Sequence, residues 1–305
     1  HITDFSQMTD LSFALRELLT QKAIISGIAP AAEEISKDGT RKYAFRLEDD
    51  AVIESVLIPE EDRHTLCISS QVGCAMGCTF CLTGAMGFTR NLTPAEIVGQ
   101  VAAVQEKMID DGLGEISNLV FMGMGEPLAN LDNVVTAIDI LLDQRGLNFS
   151  ERRITVSTCG LVPKIKELGA RTKTNLAVSL HAVKEEIRNK LMPVNKTYPV
   201  ETLLAACREY PLPKRKRIMI EYILIKGVND SEEDAHLLAE KLQEIRCKIN
   251  LLPFNECSEL PFKKPADEQV ARFQKILWEA GYTVIVRSSR GADISAACGQ
   301  LARRQ

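Results

Sequence analysis

The stretch Cys74-Ala75-Met76-Gly77-Cys78-Thr79-Phe80-Cys81 sets three thiols at C-x3-C-x2-C spacing on one short loop. Three thiolates so close together can wrap a single inorganic centre. A structural zinc ion wants four protein ligands, and no other residue of this loop is Cys or His, although Cys67 just upstream could return to complete such a site. A cubane iron–sulfur cluster held by cysteine alone normally takes four thiolates, so three leave one iron open to bind and reduce a substrate. On these residues alone both the zinc and the 4Fe-4S readings stand.

Outward from the loop, the pattern is that of parallel β/α units, each an apolar strand, a loop and an amphipathic helix. The strands fall at Thr65–Ser69, Asn118–Met122, Arg153–Thr158, Asn175–His181, Ile218–Ile225 and Ile249–Phe254, with one further strand at Tyr282–Arg287 after the helix Asp267–Ala280. Six units suit a partial (β/α)6 barrel of the α/β class, in which the loops at the C-terminal strand ends carry the chemistry. The helix after the cysteine loop opens on a capping box, with Thr93 as N-cap, Pro94 at N1 and Glu96 at N3. Upstream, Met8–Thr20 has helical spacing, and 31–59 alternates polar and apolar around Lys37-Asp38-Gly39. This predicts a small helix and antiparallel strands, a division at 1–60, ahead of the barrel at 61–305.

The 305 residues are 45% hydrophobic and 26% charged, which is a globular composition. No run is long and apolar enough to suggest a membrane span, and the N-terminal residues have no signal-peptide pattern, so the expected compartment is the cytoplasm. There nine cysteines read as metal ligands or free thiols rather than disulfides. A net charge of −4 gives no general attraction to nucleic acid, so any RNA contact must be local. The one basic run, Lys214–Arg217, is ordinarily a solvated face, and sixteen aromatic residues leave little material for base-stacking platforms. A chain that opens on His1 is expected to be part of a longer polypeptide with an upstream domain.

Several strand ends offer groups to a barrel site. Gly123-Met124-Gly125-Glu126-Pro127 follows the second strand; glycine there lets backbone approach a ligand, but the same residues also make a tight turn without one. Ser157, Ser179-Leu180-His181 and Asn255 close the third, fourth and sixth strands, where lone polar residues commonly serve as turn or capping groups.

The C-x3-C-x2-C spacing is the hallmark of the radical S-adenosylmethionine (SAM) superfamily. Beyond it, Cys67–Cys74, Phe121–Pro127, Leu191-Met-Pro-Val-Asn195 and Asp293–Leu301 resemble the RlmN/Cfr family of RNA adenosine methyltransferases over nearly the whole chain. Arg152–Gly160 and Cys247–Asn255 are more similar to its RlmN branch, and the family's N-terminal helical domain is largely absent. The resemblance implies a cluster on Cys74, Cys78 and Cys81 whose open iron chelates SAM. It also implies SAM contacts from Gly125, Glu126, Ser157, Ser179, Leu180, His181 and Asn255.

The resemblance further implies that Cys298 takes a methyl group from one SAM and that a second SAM, two per turnover, yields a 5′-deoxyadenosyl radical. That radical removes hydrogen from the Cys298 methyl group, and the carbon radical adds to C2 of adenine in an extruded base. Cys67 would resolve the covalent RNA adduct through a transient disulfide, with Glu54 as proton acceptor. On the residues alone, Cys67 reads as a small buried hydrophobe, Cys298 as an inert thiol and Glu54 as a solvent-facing strand residue. Cys159, Cys207, Cys247 and Cys257 read as structural. The implied partners are 23S rRNA at the peptidyl transferase centre, tRNA at the anticodon loop, and an external electron donor such as a flavodoxin or ferredoxin. Methylation at C8 of the same rRNA adenosine is the sister alternative, and a non-catalytic, metal-stabilised RNA-binding protein is the alternative of another class.

Overall fold

The computed structural model describes residues 4–25 and 28–301. Helix α1 spans Phe13–Lys22 and is capped by Ser12, whose hydroxyl accepts from Leu15 N; residues 5–7 form a separate 3-10 turn, so the helix starts later than the apolar spacing suggests. Strands β1 (Pro30–Ile35), β2 (Arg41–Arg46) and β3 (Val52–Glu60) form an antiparallel meander, and β3 continues antiparallel onto β4 (Arg63–Cys67).

After β4 comes a feature the sequence did not announce. A hairpin of β5 (Gln71–Gly73) and β6 (Phe88–Asn91) clasps the cysteine loop and the one-turn helix α2 (Leu82–Ala85). Gly73 is obligatory at its base, since its φ is +72° and a Cβ there would lie 1.9 Å from the Gly87 carbonyl oxygen. Helix α3 (Pro94–Asp110) then starts at the expected capping box, with Thr93 Oγ1 accepting from Glu96 N and the Glu96 carboxylate accepting from Thr93 N. Its buried residues Ile97, Val101, Val104 and Met108 recur at helical spacing, a single apolar stripe laid on the sheet.

The remaining chain alternates as β7 (Asn118–Phe121), α4 (Leu131–Leu142), β8 (Ile154–Thr158), α5 (Val162–Arg171), β9 (Asn175–Ser179), α6 (Glu185–Leu191) and α7 (Val200–Glu209). It ends with β10 (Ile218–Leu224), α8 (Glu232–Lys241), β11 (Cys247–Pro253), α9 (Asp267–Glu279) and β12 (Val284–Val286). Strands β4 and β7 to β12 pair in parallel in chain order, giving the expected partial α/β barrel extended by one strand and by the antiparallel meander. One ten-stranded sheet results, with β1 and β12 as its edges.

A C-terminal segment spans from β12 back to the meander. Ser36 Oγ donates to Asp293 Oδ1 at 2.5 Å, Lys37 N donates to Asp293 Oδ2 at 3.2 Å, and Gly291 N donates to Asp38 Oδ2 at 3.0 Å. Lys42 Nζ donates to the Ile294 carbonyl at 2.6 Å. Leu82 N and Thr83 Oγ1 donate to the Gly299 and Leu301 carbonyls. This latch holds the Cys298 stretch between the β1–β2 turn and the cysteine loop. No helix among the described residues is long and apolar enough to cross a membrane.

Candidate active site

A cavity of about 340 Å³ opens at the C-terminal strand ends, with Cys74, Cys78, Cys81 and Cys298 on its walls. Gly125, Glu126, Ser157, Ser179, His181 and Asn255 line the same space. Three sequence-predicted residues do not line it: Cys67, Glu54 and Leu180. Leu180 packs its side chain in the core, and its backbone is engaged by the Glu221 carbonyl, Ala182 N and Arg188.

Burial pushes the Cys74 thiol up to about 11 and the Cys78 thiol higher still, and the neighbouring loop thiols add to both rises. Thiolates crowded in this way are stabilised together only by a cation that neutralises them, so the donor set suits a metal centre. Among the described residues no three His, Cys, Asp or Glu side chains converge on one metal-ion position. Cys67 supplies no fourth loop ligand, because it sits buried in β4 outside the cavity wall.

Glu126 is buried, and burial raises its carboxyl pKa, although its oxygens accept from Leu128 N at 3.0 Å and Cys159 N at 2.7 Å. It therefore ties the β7 and β8 loop ends together at the cavity wall. Gly125 has φ +98°, and a Cβ there would lie 2.5 Å from Gln71 Cβ, so packing demands glycine as well as any ligand would. Packing by itself therefore accounts for glycine at this position.

His181 lies just past β9, at φ +59° rather than in the strand. Burial, aided by the Arg188 cation, lowers its pKa to about 3, so it is neutral. Its Nδ1 accepts from Ile223 N at 3.1 Å, leaving Nε2 protonated, and Phe80 of the cysteine loop packs edge-on against it at 4.9 Å.

The two reactive-thiol candidates are neighbours. Cys67 is buried, which raises its pKa, and the Cys298 thiol lies close enough to raise it further. Cys298 is exposed toward the cavity; surrounding protein atoms push its thiol up to about 11, with the Glu221 carboxylate next in effect and Arg287 opposing. Glu54 does not face solvent. It is 1% exposed, and Lys42, the residue that also holds the Ile294 carbonyl, approaches it at 3.7 Å.

Four contributors escaped sequence reasoning. Cys159, expected to be structural, lines the cavity. Glu221, mid-strand in β10, is buried at the cavity with its pKa raised to about 7 by desolvation, and Asn250 Nδ2 donates to it at 2.9 Å. Arg188 is 0% exposed. Its guanidinium donates to the Leu180, Cys159 and Ser179 carbonyls at 2.9, 2.8 and 3.2 Å and to Asn195 Oδ1 at 2.7 Å. Arg188 thus braces the ends of β8 and β9 from beneath. The polar spacing Arg188…Asn195 beside Leu191–Asn195 is the signal that could have found it. Arg287 on the rim is the fourth.

A parallel partial barrel with three clustered cysteines at its strand ends is the architecture of radical SAM enzymes, and the model of the radical SAM superfamily matches residues 68–239. A crystal structure of a radical SAM methyltransferase from Sphaerobacter thermophilus superposes with a TM-score of 0.93 at 45% identity, covering 98% of this chain and 88% of that one. The dual-specificity RNA methyltransferase RlmN of Desulfotalea psychrophila is 56% identical over 99% of this chain and 85% of its own length. The RlmN of Geobacter sulfurreducens is 58% identical over 98% and 81%. The chain belongs to the RlmN family of radical SAM RNA methyltransferases.

Proposed function

We propose that this methyltransferase places a methyl group on C2 of an adenosine in 23S rRNA at the peptidyl transferase centre and of an adenosine in the tRNA anticodon loop, acting in the cytoplasm. The observation that carries the reading is the neighbourhood of two thiols: Cys298, open to the cavity that holds the cysteine loop, and Cys67, buried within electrostatic reach behind it. A simple methyl transfer needs neither.

Cys74, Cys78 and Cys81 are the residues that would hold a 4Fe-4S cluster, and when bound it supplies the electron that splits the sulfonium of SAM to a 5′-deoxyadenosyl radical. Gly125, Glu126, Ser157, Ser179, His181 and Asn255 surround the volume where SAM would lie, and Leu180 contributes its backbone. Cys298 loses its proton and takes the methyl group of a first SAM. After hydrogen removal by the radical from a second SAM, the methylene carbon on the Cys298 sulfur bonds to C2 of the adenine. The adduct radical would return one electron to the cluster, and Glu54 accepts the ring proton. Cys67 then gives up its proton and attacks the Cys298 sulfur; a disulfide forms, the carbon–sulfur bond to the RNA breaks with the electron pair going to the carbon, that carbon takes up a proton to become the methyl group, and the methylated base leaves. Regeneration requires external electrons, which we assign to a flavodoxin or ferredoxin. Residues 1–60 serve as the accessory division, and 61–305 as the barrel with its methyl-carrier extension.

The test is a pair of variants supplied with SAM, dithionite and RNA. Cys67→Ala accumulates a covalent protein–RNA adduct on denaturing gels, whereas Cys298→Ala forms none. If both release methylated RNA, the two-thiol route is wrong. Mass spectrometry of the product nucleoside locates the methyl group, and a methyl on C8 would replace the C2 assignment.

A further inference from the structure

The segment Arg287-Ser288-Ser289-Arg290 joins β12 to the latch and is fastened at both ends. Arg287 N donates to the Leu251 carbonyl at 2.9 Å, and the next residue after the segment, Gly291, donates its N–H to Asp38 and turns at φ +61°. All four residues line the candidate active-site cavity, and the first three also wall an adjoining cavity of about 380 Å³ whose lining includes Lys264. The segment therefore forms part of the cavity's rim, anchored at each end.

Those side chains have no hydrogen bond or ion pair among the described residues, while Arg41, Arg63, Arg90 and Arg171 each hold a carboxylate. The carboxylates that face the rim are already engaged. Glu60 pairs with Arg63, with Arg287 and Arg290 also near enough to favour its ionised form, Glu221 accepts from Asn250, and Asp267 pairs with Lys264 at 2.8 Å. Arg287 is nevertheless close enough to favour the ionised forms of both Cys298 and Glu221, so the rim and the methyl-carrier thiol share one neighbourhood. Two guanidinium groups without a direct ion pair, flanking two hydroxyls in a chain of net charge −4, form a local anion site rather than part of a basic surface. Guanidinium forks and serine hydroxyls are the donors that grip phosphodiesters, and parallel barrels build phosphate sites on the loops after their last strands.

We propose that Arg287, Ser288, Ser289 and Arg290 form a clamp for the RNA phosphate adjoining the adenosine to be methylated. This rests on the reading of the cavity as the seat of the target base. The clamp supplies what an extruded base requires, a hold on the backbone beside it, while the base itself points toward Cys298.

A double-mutant cycle between protein and RNA tests it, using the full chain and a synthetic tRNA anticodon stem-loop with its phosphates intact or with an uncharged methylphosphonate on either side of the target adenosine. For the intact RNA, the double variant Arg287→Gln/Arg290→Gln binds at least tenfold more weakly. Its slope of log affinity against log salt is shallower by about 0.7 per lost phosphate contact. Methylphosphonate weakens the wild-type chain by a similar factor but adds no further loss to the variant. Arg287→Lys/Arg290→Lys recovers the salt slope with only part of the affinity, because an ammonium is a point charge without the fork. Losses that simply add, or a weaker variant with an unchanged salt slope, overturn the clamp while leaving the methylation reading intact. A wild-type chain that neither binds nor methylates the intact stem-loop rejects the base-seat reading, and the clamp with it.

Discussion

Replacing Arg188 by methionine removes the most deeply buried cation in the barrel and strands its partners. The guanidinium is fully buried and serves three backbone carbonyls and one side-chain amide oxygen. The Leu180 carbonyl keeps a donor in Ala182 N, so the Cys159 and Ser179 carbonyls and Asn195 Oδ1 are the acceptors that lose theirs; at about 1–3 kcal/mol each they set a gross loss of roughly 3–9 kcal/mol. Against this, methionine is not charged, and relief of the desolvation penalty that Arg188 carries returns several kcal/mol. The net expectation is a loss of about 3–5 kcal/mol, in line with breaking other buried charge networks. At roughly 2 °C per kcal/mol for a chain of this size, the thermal midpoint falls by about 6–10 °C. The assay is anaerobic urea and thermal unfolding of the full chain, with SAM binding followed by calorimetry. Because the released carbonyls belong to Cys159, Ser179 and Leu180, SAM affinity should fall more than tenfold. Arg188→Lys, which keeps the charge but not the fork, should lie between the two. An Arg188→Met protein within 1 kcal/mol of wild type and with unaltered SAM affinity would refute the bracing role.

Glu221→Gln should stabilise the chain at pH 8 and change it little at pH 5. The folded carboxyl titrates near 7, above the ordinary 4.5 of an unfolded chain, so the folded state holds the extra proton between those values. The stability it confers is therefore present at low pH and lost as pH rises through 7, by up to about 3 kcal/mol; urea midpoints that shift equally at both pH values would contradict this. Gly125→Ala forces a Cβ against Gln71 at a left-handed backbone position, and a destabilisation above about 2 kcal/mol with weakened SAM binding is expected; a normal unfolding midpoint would show that the loop has room. Asp293→Ala removes the bonds from Ser36 and Lys37 that latch the Cys298 segment. Mass spectrometry should then find S-methylation of Cys298 slowed at least tenfold in a folded protein, and unchanged kinetics would mean that the other latch bonds suffice.

The cluster loop, the repeating strand–helix units and the Thr93 capping box were legible in the sequence because each is encoded locally: ligand spacing, apolar period and cap chemistry lie within a few residues of one another. The same locality explains where the reading fell short. The hairpin around the cysteine loop depends on Gly73 meeting Gly87, fourteen residues away. His181 leaves its strand for a left-handed conformation, with its ring buried and receiving the Ile223 N–H. Glu54, which alternation alone would turn to solvent, is buried because both faces of β3 are covered, residues 53–57 all being buried.

What the sequence by itself determined was chemistry type and element order: three thiols fit to hold a cluster, and parallel units that put reactive loops at one end. Only the tertiary structure decided which distant groups share that end. Cys67 and Cys298 are 231 positions apart, and nothing in either one's neighbours specifies the other. The partners of Arg188, Glu221 and Asp293 likewise come from separate strands and turns. Such proximity arises from how the sheet curls and how the final segment latches to its first turn, a sum of many weak packing and hydrogen-bond terms that no short stretch of chain contains.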